Sequence, residues 1–169
     1  IQNELASFIA NCDWEKIAPH FKEDAAYRVL DWIGCAVAGE HYPQVEIAQK
    51  YFIENGDQGN STVIGHQTKC SPRTAAFLNG IAGHVCELDD GHRTAIGHPG
   101  SIAVPTALAL GEHLNASGAD VLKAVILGYE VFSRLGRTVN PSHYRTWHTT
   151  GTCGTIAAAA AAASLLKLS

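Results

Sequence analysis

The chain has 169 residues, a length that suits one ordinary domain with a sizeable core. It has 12 Lys and Arg residues against 16 Asp and Glu residues, a formal net charge of -4, and 46% hydrophobic residues. This composition excludes a disordered chain, and the lack of a basic block disfavours nucleic acid and anionic membranes as partners. Five scattered cysteines without a C-x-x-C pair argue against a disulfide framework and fit a cytoplasmic protein.

Helical periodicity dominates the sequence, and we predict seven helical segments forming one all-α domain over residues 1–169. The run Ser61–Gly65 is the one strand-like stretch, which we expect to be an isolated extended segment. An uncharged Ala-rich stretch over 149–166 is too weakly apolar for a membrane span and predicts a buried, tightly packed helix. The clearest helical patterns cover residues 25–37, 45–54, 72–86, 101–114, 121–132 and 152–168.

The ends of the chain lack ordinary start and stop signals. It begins with Ile1, contains no Met, and breaks off inside the last helical pattern without a Gly or Pro stop. No basic stretch precedes an apolar run, so we expect no secretory signal. We therefore expect the chain to be an N-terminal piece of a longer protein.

An acidic group, Glu87, Asp89 and Asp90, follows the helix predicted for residues 72–86. The helix dipole disfavours negative charge at a C-terminal end, so carboxyl groups held there are suited to proton transfer near neutral pH. An equally weighted alternative is that His92 and Arg93 neutralise the acidic group on a solvated surface.

Two of the nine histidines, His98 and His148, stand just before predicted helices. Helix N-termini carry free N–H groups and favour anions, so two converging ends would hold a polycarboxylate. The alternative is that these histidines are incidental and that the neighbouring hydroxyl residues are ordinary N-caps: Ser101, Thr150 and Thr152.

A metal site is a further interpretation of this region, because four residues of metal-ligating type lie close together in sequence: Asp89, Asp90, His92 and His98. They lack a defining spacing such as H-E-x-x-H, so we rank metal binding below acid–base use. No glycine-rich nucleotide fingerprint is present either. We expect neither a metal nor another cofactor.

The string HVCELDDGHRTAIGHPGSIAVPTALALGEHLNASGADVLKAVILGYEV, followed by WHTTGTCGTIAAAAAAASLL, resembles the MmgE/PrpD family. That family includes 2-methylcitrate dehydratases of propionate metabolism, cis-aconitate decarboxylases and iminodisuccinate epimerases. The resemblance implies a helical large domain, a smaller α+β domain encoded further along, a substrate cleft between them and usually a homodimer. Family members are much longer, so the chain corresponds to less than half of one.

The resemblance also implies site residues. The family pattern D-x-D-D-T-H…H-P-G places four residues at the cleft, and a fifth matches the histidine before T-G-T-C-G: Asp89, Asp90, His92, His98 and His148. Three positions depart from the family pattern, since the family commonly has Asp, Thr and Pro where this chain has Glu87, Gly91 and Thr149.

The hypothesis that follows is a cofactor-independent hydro-lyase, similar to 2-methylcitrate dehydratase, that acts on a citrate-like acid by removing a proton next to a carboxylate. His98 and His148 would orient or protonate the substrate, and Asp89 or Asp90 would transfer a proton or fix a histidine tautomer. The expected substrate contacts are Glu87, Gly91, His92, Thr150 and Thr152.

Three alternatives stay open. Decarboxylation of a cis-aconitate-type acid and epimerisation of an iminodisuccinate-type acid need the same groups, whereas a non-catalytic helical interaction module needs none of them. The enzyme hypothesis requires His98, His148 and at least one of Asp89 and Asp90 to border one cavity. We expect residues 1–169 alone to be inactive, because a cleft needs both walls.

Overall fold

The computed structural model describes residues 2–67 and 69–168 of the chain. Within this part it has seven α-helices, which confirms the all-α prediction: α1 Gln2–Ala10, α2 Pro19–Gly39, α3 Pro43–Glu54, α4 Pro72–His84, α5 Gly100–Leu114, α6 Gly118–Val139 and α7 Thr149–Leu165. Short 3-10 helices cover Trp14–Lys16 and His143–Arg145. Strands β1 (Ser61–Thr62) and β2 (Lys69–Cys70) pair antiparallel.

Several predicted boundaries were wrong. Helix α1 was not predicted, and α2 begins six residues earlier than its apolar pattern because Pro19 occupies the first helical position. The Ser61–Gly65 run is not isolated, since its first two residues pair with β2. Helix α7 starts at Thr149, three residues before the predicted start.

Helix α4 ends at His84 rather than at the predicted Cys86. The Val85 N–H still donates to the Ile81 carbonyl oxygen, but Glu87 adopts a left-handed backbone conformation with φ 49°. A non-glycine residue there costs about 1–2 kcal/mol, so the surrounding contacts must hold this turn.

Helix α6 begins directly after the N-cap residue Ser117. Its hydroxyl accepts a hydrogen bond from the Asp120 N–H at 3.1 Å and donates one to the Asp120 carboxylate at 2.7 Å. The cap satisfies one of the N–H groups that a helix start leaves open.

Helix α5 lies at the centre and packs against α2, α4, α6 and α7. Small residues allow these close contacts: a Cβ atom at Gly128 would lie 2.8 Å from the Ala103 Cβ, and one at Gly154 would lie 2.7 Å from the Ile102 Cγ1. Ala157 and Ala161 of α7 are fully buried, which confirms the tightly packed helix. In the described part of the chain, no helix has the length and apolar character that crossing a membrane requires.

The contact between α2 and α4 is set by Trp32 and Gly83. Trp32 is buried, with 2% of its surface exposed. A Cβ atom at Gly83 would lie 2.5 Å from the indole Nε1, so the glycine lets the ring lie against the α4 backbone. Because His84 is the next residue, this contact also positions the last turn of α4.

We predict that Gly83→Ala destabilises the protein by about 1–3 kcal/mol, because the added methyl group overpacks a filled core. Gly34→Ala, in α2, is the matched control: nothing lies within 4 Å of a Cβ atom there. That substitution should stabilise the helix by about 0.5–1 kcal/mol. Urea unfolding measures both free energies, and equal effects would contradict this account of the contact.

Candidate active site

The Asp89 carboxylate is buried between two imidazole rings. Its side chain is 0% exposed; its Oδ1 lies 3.0 Å from the Nδ1 of His84, and its Oδ2 lies 3.4 Å from the Nδ1 of His98. The centroids of the two rings are 4.8 Å apart. A buried carboxylate is stable only when neighbouring groups compensate its charge, and these imidazoles occupy that place. The end of α4 and the loop before α5 therefore meet at one carboxylate.

The backbone of His98 is held from two sides. Its N–H donates to the Thr150 hydroxyl oxygen at 3.1 Å, and its carbonyl oxygen accepts from the Ser101 hydroxyl at 2.9 Å. Ser101 lies inside the first turn of α5, and Thr150 lies inside the first turn of α7. The N-cap residues of these helices are Pro99 and His148, and neither makes a side-chain cap hydrogen bond. Thr152 also lies inside α7, so the alternative that Ser101, Thr150 and Thr152 are N-caps was wrong.

His148 is exposed directly before α7, with its ring centroid 6.5 Å from that of His84. The two rings line a cavity of about 540 Å³ together with Thr150, and much of the remaining wall is apolar, for example Phe77, Ile81 and Pro105. His98 contacts the ring of His84 but is not part of this wall. The expectation that His98, His148 and one of Asp89 and Asp90 border a single cavity was therefore wrong: His148 shares this cavity with His84, and none of the other three lines it.

Asp90 has different partners from Asp89. Its Oδ2 accepts from Arg28 of α2 at 2.7 Å, and its Oδ1 accepts from the Gly100 N–H at 3.1 Å, at the start of α5. A Cβ atom at Gly100 would lie 2.5 Å from Asp90 Oδ1 and 2.7 Å from the Tyr129 hydroxyl oxygen. Burial, followed by the Asp90 charge, raises the pKa of Tyr129, so the phenol stays protonated. Asp90 therefore links α2 to α5, and its catalytic part stays a prediction.

The remaining predicted residues are spread around this centre. The His92 Nδ1 accepts from the Ala95 N–H at 3.1 Å, which closes the 92–97 turn. Gly91 and His92 line a second cavity of about 490 Å³ with Asp90, and no atom lies within 4 Å of a Cβ atom at Gly91. Glu87 is exposed, and the Thr152 hydroxyl contacts the His143 Nε2 at 2.7 Å. The structure does not bring these residues to the imidazole cluster.

The surroundings of His84 shift the pKa of its imidazole. Its hydrogen bond with Asp89 raises the pKa of the imidazole, burial opposes the shift, and the Asp89 and Glu87 charges add to it. The pKa of His84 therefore lies above its ordinary value. Because this pKa is raised on folding, its stabilising effect is present below the ordinary value near 6.5 and is lost as pH rises through the raised value.

Two residues of the site were missed in the sequence. His84 lies in the last turn of α4, where the helix dipole favours a cation, five residues before Asp89. That placement was a usable signal. Arg28 lies 62 residues from Asp90, and no local pattern connects them.

His84, Asp89 and His98 are also the residues of the described chain whose ligand atoms could hold a metal ion together. Asp89 and His98 belong to the four candidates from the sequence, whereas Asp90 and His92 do not join the group.

The fold and this cluster define a helical domain built around a buried carboxylate and several imidazoles. The family model "MmgE/PrpD N-terminal domain" matches residues 3–169. The chain belongs to the MmgE/PrpD family.

Curated relatives of this chain carry the name cis-aconitate decarboxylase. An Aspergillus terreus protein of that name is 32% identical over 176 residues, covering 100% of this chain and 36% of the relative. A cis-aconitate decarboxylase-like protein, oryM, from Aspergillus oryzae is 33% identical and covers 98% and 36%, respectively. The human cis-aconitate decarboxylase is 34% identical over 149 residues, 83% of this chain and 31% of the relative. The chain thus spans about a third of the length of these relatives.

We predict that Asp89→Asn lowers the pKa of His84, because the substitution removes the carboxylate that favours the protonated ring. The loss of stability should be larger below the ordinary pKa than well above it. Proton–carbon NMR titration of the His84 ring measures the first effect, and urea unfolding at several pH values measures the second.

Asp90→Asn is the matched control, because Asp90 is adjacent in sequence yet contacts Arg28 and Gly100 instead. It should leave the His84 titration unchanged. A His84 titration that responds equally to both substitutions would contradict the assignment of Asp89 as its partner.

Proposed function

We propose that the whole protein that carries this chain is a lyase acting on a small polycarboxylic acid, and that the imidazole cluster moves the proton. The observation that carries this proposal is the buried Asp89 carboxylate between His84 and His98. A carboxylate that holds Nδ1 fixes the ring and leaves Nε2 as the nitrogen that can exchange a proton with a ligand. His84 faces the cavity, so it is the ring that we propose to reach the substrate.

The start of α7 supports an anionic substrate. His148 precedes its first turn, where unpaired N–H groups and the helix dipole favour a carboxylate. The Gly100 N–H of α5 is already taken by Asp90, so α7 is the helix end that we assign to the ligand. His148, exposed beside it, would supply a second donor or a positive charge.

Among the reactions open to this site, we propose decarboxylation of a cis-aconitate-type acid, as the names of the curated relatives suggest. In such an acid, the bond between the CH₂ carbon and its carboxylate breaks and CO₂ leaves. The electron pair forms a new double bond to the central carbon, and the electrons of the old double bond take up one proton at the former vinylic carbon. Protonated His84 would supply this proton, and Asp89 would stabilise the ring in both states.

The apolar part of the cavity wall also supports decarboxylation. A carboxylate that leaves water for an apolar wall such as Phe77, Ile81 and Pro105 loses hydration, whereas neutral CO₂ does not need it. Removal of the carboxylate charge is therefore favoured on this side of the site.

Dehydration of a 2-methylcitrate-like acid, the leading hypothesis from the sequence, is the second candidate. A hydroxide ion leaves only when an acid protonates it, and His84 with its raised pKa is such an acid. Epimerisation needs the same proton transfer without a leaving group. Substrate assays on the whole protein distinguish the three reactions.

We also propose, from the family resemblance, that the whole protein forms a homodimer, and, from composition, that it works in the cytoplasm. Sedimentation of the purified protein measures the first. Residues 1–169 alone should show no measurable turnover.

We predict that the whole protein releases CO₂ from cis-aconitate and, in D₂O, incorporates one deuterium into the product. His148→Ala and His84→Ala should each lower kcat/KM by about 100-fold or more, because general acid–base groups contribute about 10²–10⁴-fold. His41→Ala is the control, since this exposed side chain pairs with the neighbouring Glu40 and lies outside the imidazole cluster. Mass spectrometry of the products follows both mass and isotope content.

Faster loss of water from 2-methylcitrate than loss of CO₂ from cis-aconitate would overturn decarboxylation in favour of the dehydratase. A protein that turns over none of these acids and exchanges no substrate proton would support the non-catalytic interaction module.

A further inference from the structure

One oxygen of Asp89 lies between two ring nitrogens at distances that suit a metal ion. Its Oδ2 is 3.2 Å from the Nδ1 of His84 and 3.4 Å from the Nδ1 of His98. Ligand atoms around a tetrahedral zinc ion, bound at about 2.0–2.1 Å, are separated by about 3.3 Å. The three residues each offer a ligand atom within 4.8 Å of the other two. Two edges of a tetrahedron are therefore present.

The unpaired ring nitrogen of His98 also supports a metal site. Its Nδ1 is buried and has no hydrogen-bond partner, although Asp89 Oδ2 lies 3.4 Å away. A buried polar atom without a partner costs about 1–3 kcal/mol. A cation between this nitrogen and the carboxylate would satisfy both groups at once. The orphaned nitrogen is thus a second observation, independent of the clustering.

The donor set selects the class of ion. Two imidazoles and one carboxylate match the ligands that Zn²⁺ and neighbouring transition-metal dications take, with one position left open. Ca²⁺ and Mg²⁺ prefer six or more oxygen ligands, which this site does not offer.

We propose that His84, Asp89 and His98 form a reversible site for a transition-metal dication such as Zn²⁺, and that the bound ion inhibits the enzyme. Coordination occupies the Nδ1 lone pairs and the Asp89 oxygen, so the carboxylate no longer holds the rings for proton transfer. The inhibition rests on the function proposed above, whereas the binding does not. The ion acts as an inhibitor here, so chelators should not lower the activity.

The test is titration of the whole protein, freed of metal, with Zn²⁺ by calorimetry and with Co²⁺ by visible absorption. We expect one ion per chain and the strong visible band of four-coordinate Co²⁺. His84→Gln and Asp89→Asn should weaken binding by more than about tenfold, since even outer partners of metal ligands change affinity by about 10–100-fold. His41→Ala is the control, and circular dichroism checks that each variant is folded.

Binding that both folded variants retain at the affinity of the unsubstituted protein would overturn the site. His84→Gln keeps the test decisive if Asp89→Asn fails to fold, because His84 is partly exposed. Activity measured in parallel should fall at least tenfold with the same midpoint as Zn²⁺ binding and return when EDTA is added. Unchanged or higher activity with the site filled would overturn the inhibition. Metal binding in a protein that turns over none of the acids would overturn the proposed function and leave the site standing.

Discussion

The buried carboxylate of Asp89 is the constraint on which this end of the domain depends. A carboxylate with no exposed surface requires compensating groups, and the chain supplies them from the end of α4 and the loop before α5. His98 is in turn fixed through its backbone to the first turns of α5 and α7. Three helix ends and one loop are thereby held in a single arrangement. The position of the imidazoles follows from the need to bury this charge with partners.

Close packing at small residues makes that arrangement possible. A Cβ atom at Gly97 would lie 2.8 Å from the Phe132 ring, and one at Gly100 would meet Asp90 and Tyr129. The backbone on either side of His98 therefore packs directly against side chains of α6, with no room for a Cβ atom at Gly97 or Gly100. Gly83 does the same for α4 against Trp32. Helices packed this closely restrict the movement of the side chains at their ends, which suits a site in which the imidazole rings need a defined orientation.

Two adjacent carboxylates show how environment separates chemical roles. Asp89 contacts imidazoles, which gain and lose protons near neutral pH, whereas Asp90 contacts the guanidinium of Arg28, which stays charged. Asp89 and its imidazoles can take part in proton transfer or bind a metal ion. The pair of Asp90 and Arg28 is suited to joining α2 and α5. From the sequence both residues were equal candidates, because an Asp-Asp pair carries no information about which neighbour each side chain meets.

The sequence by itself determined the helical class and the core periodicity of most helices, and it pointed to the two segments that contain the candidate site residues, because 3.6-residue spacing and short motifs are local signals. It could not separate Asp89 from Asp90, place His84 beside His98, or find Arg28 as the partner of Asp90. Those relations join residues on different elements, up to 62 positions apart. Only the packing of α2, α4, α5 and α7 decides which side chains meet, because burial of the Asp89 charge is a property of the assembled core and of no single segment.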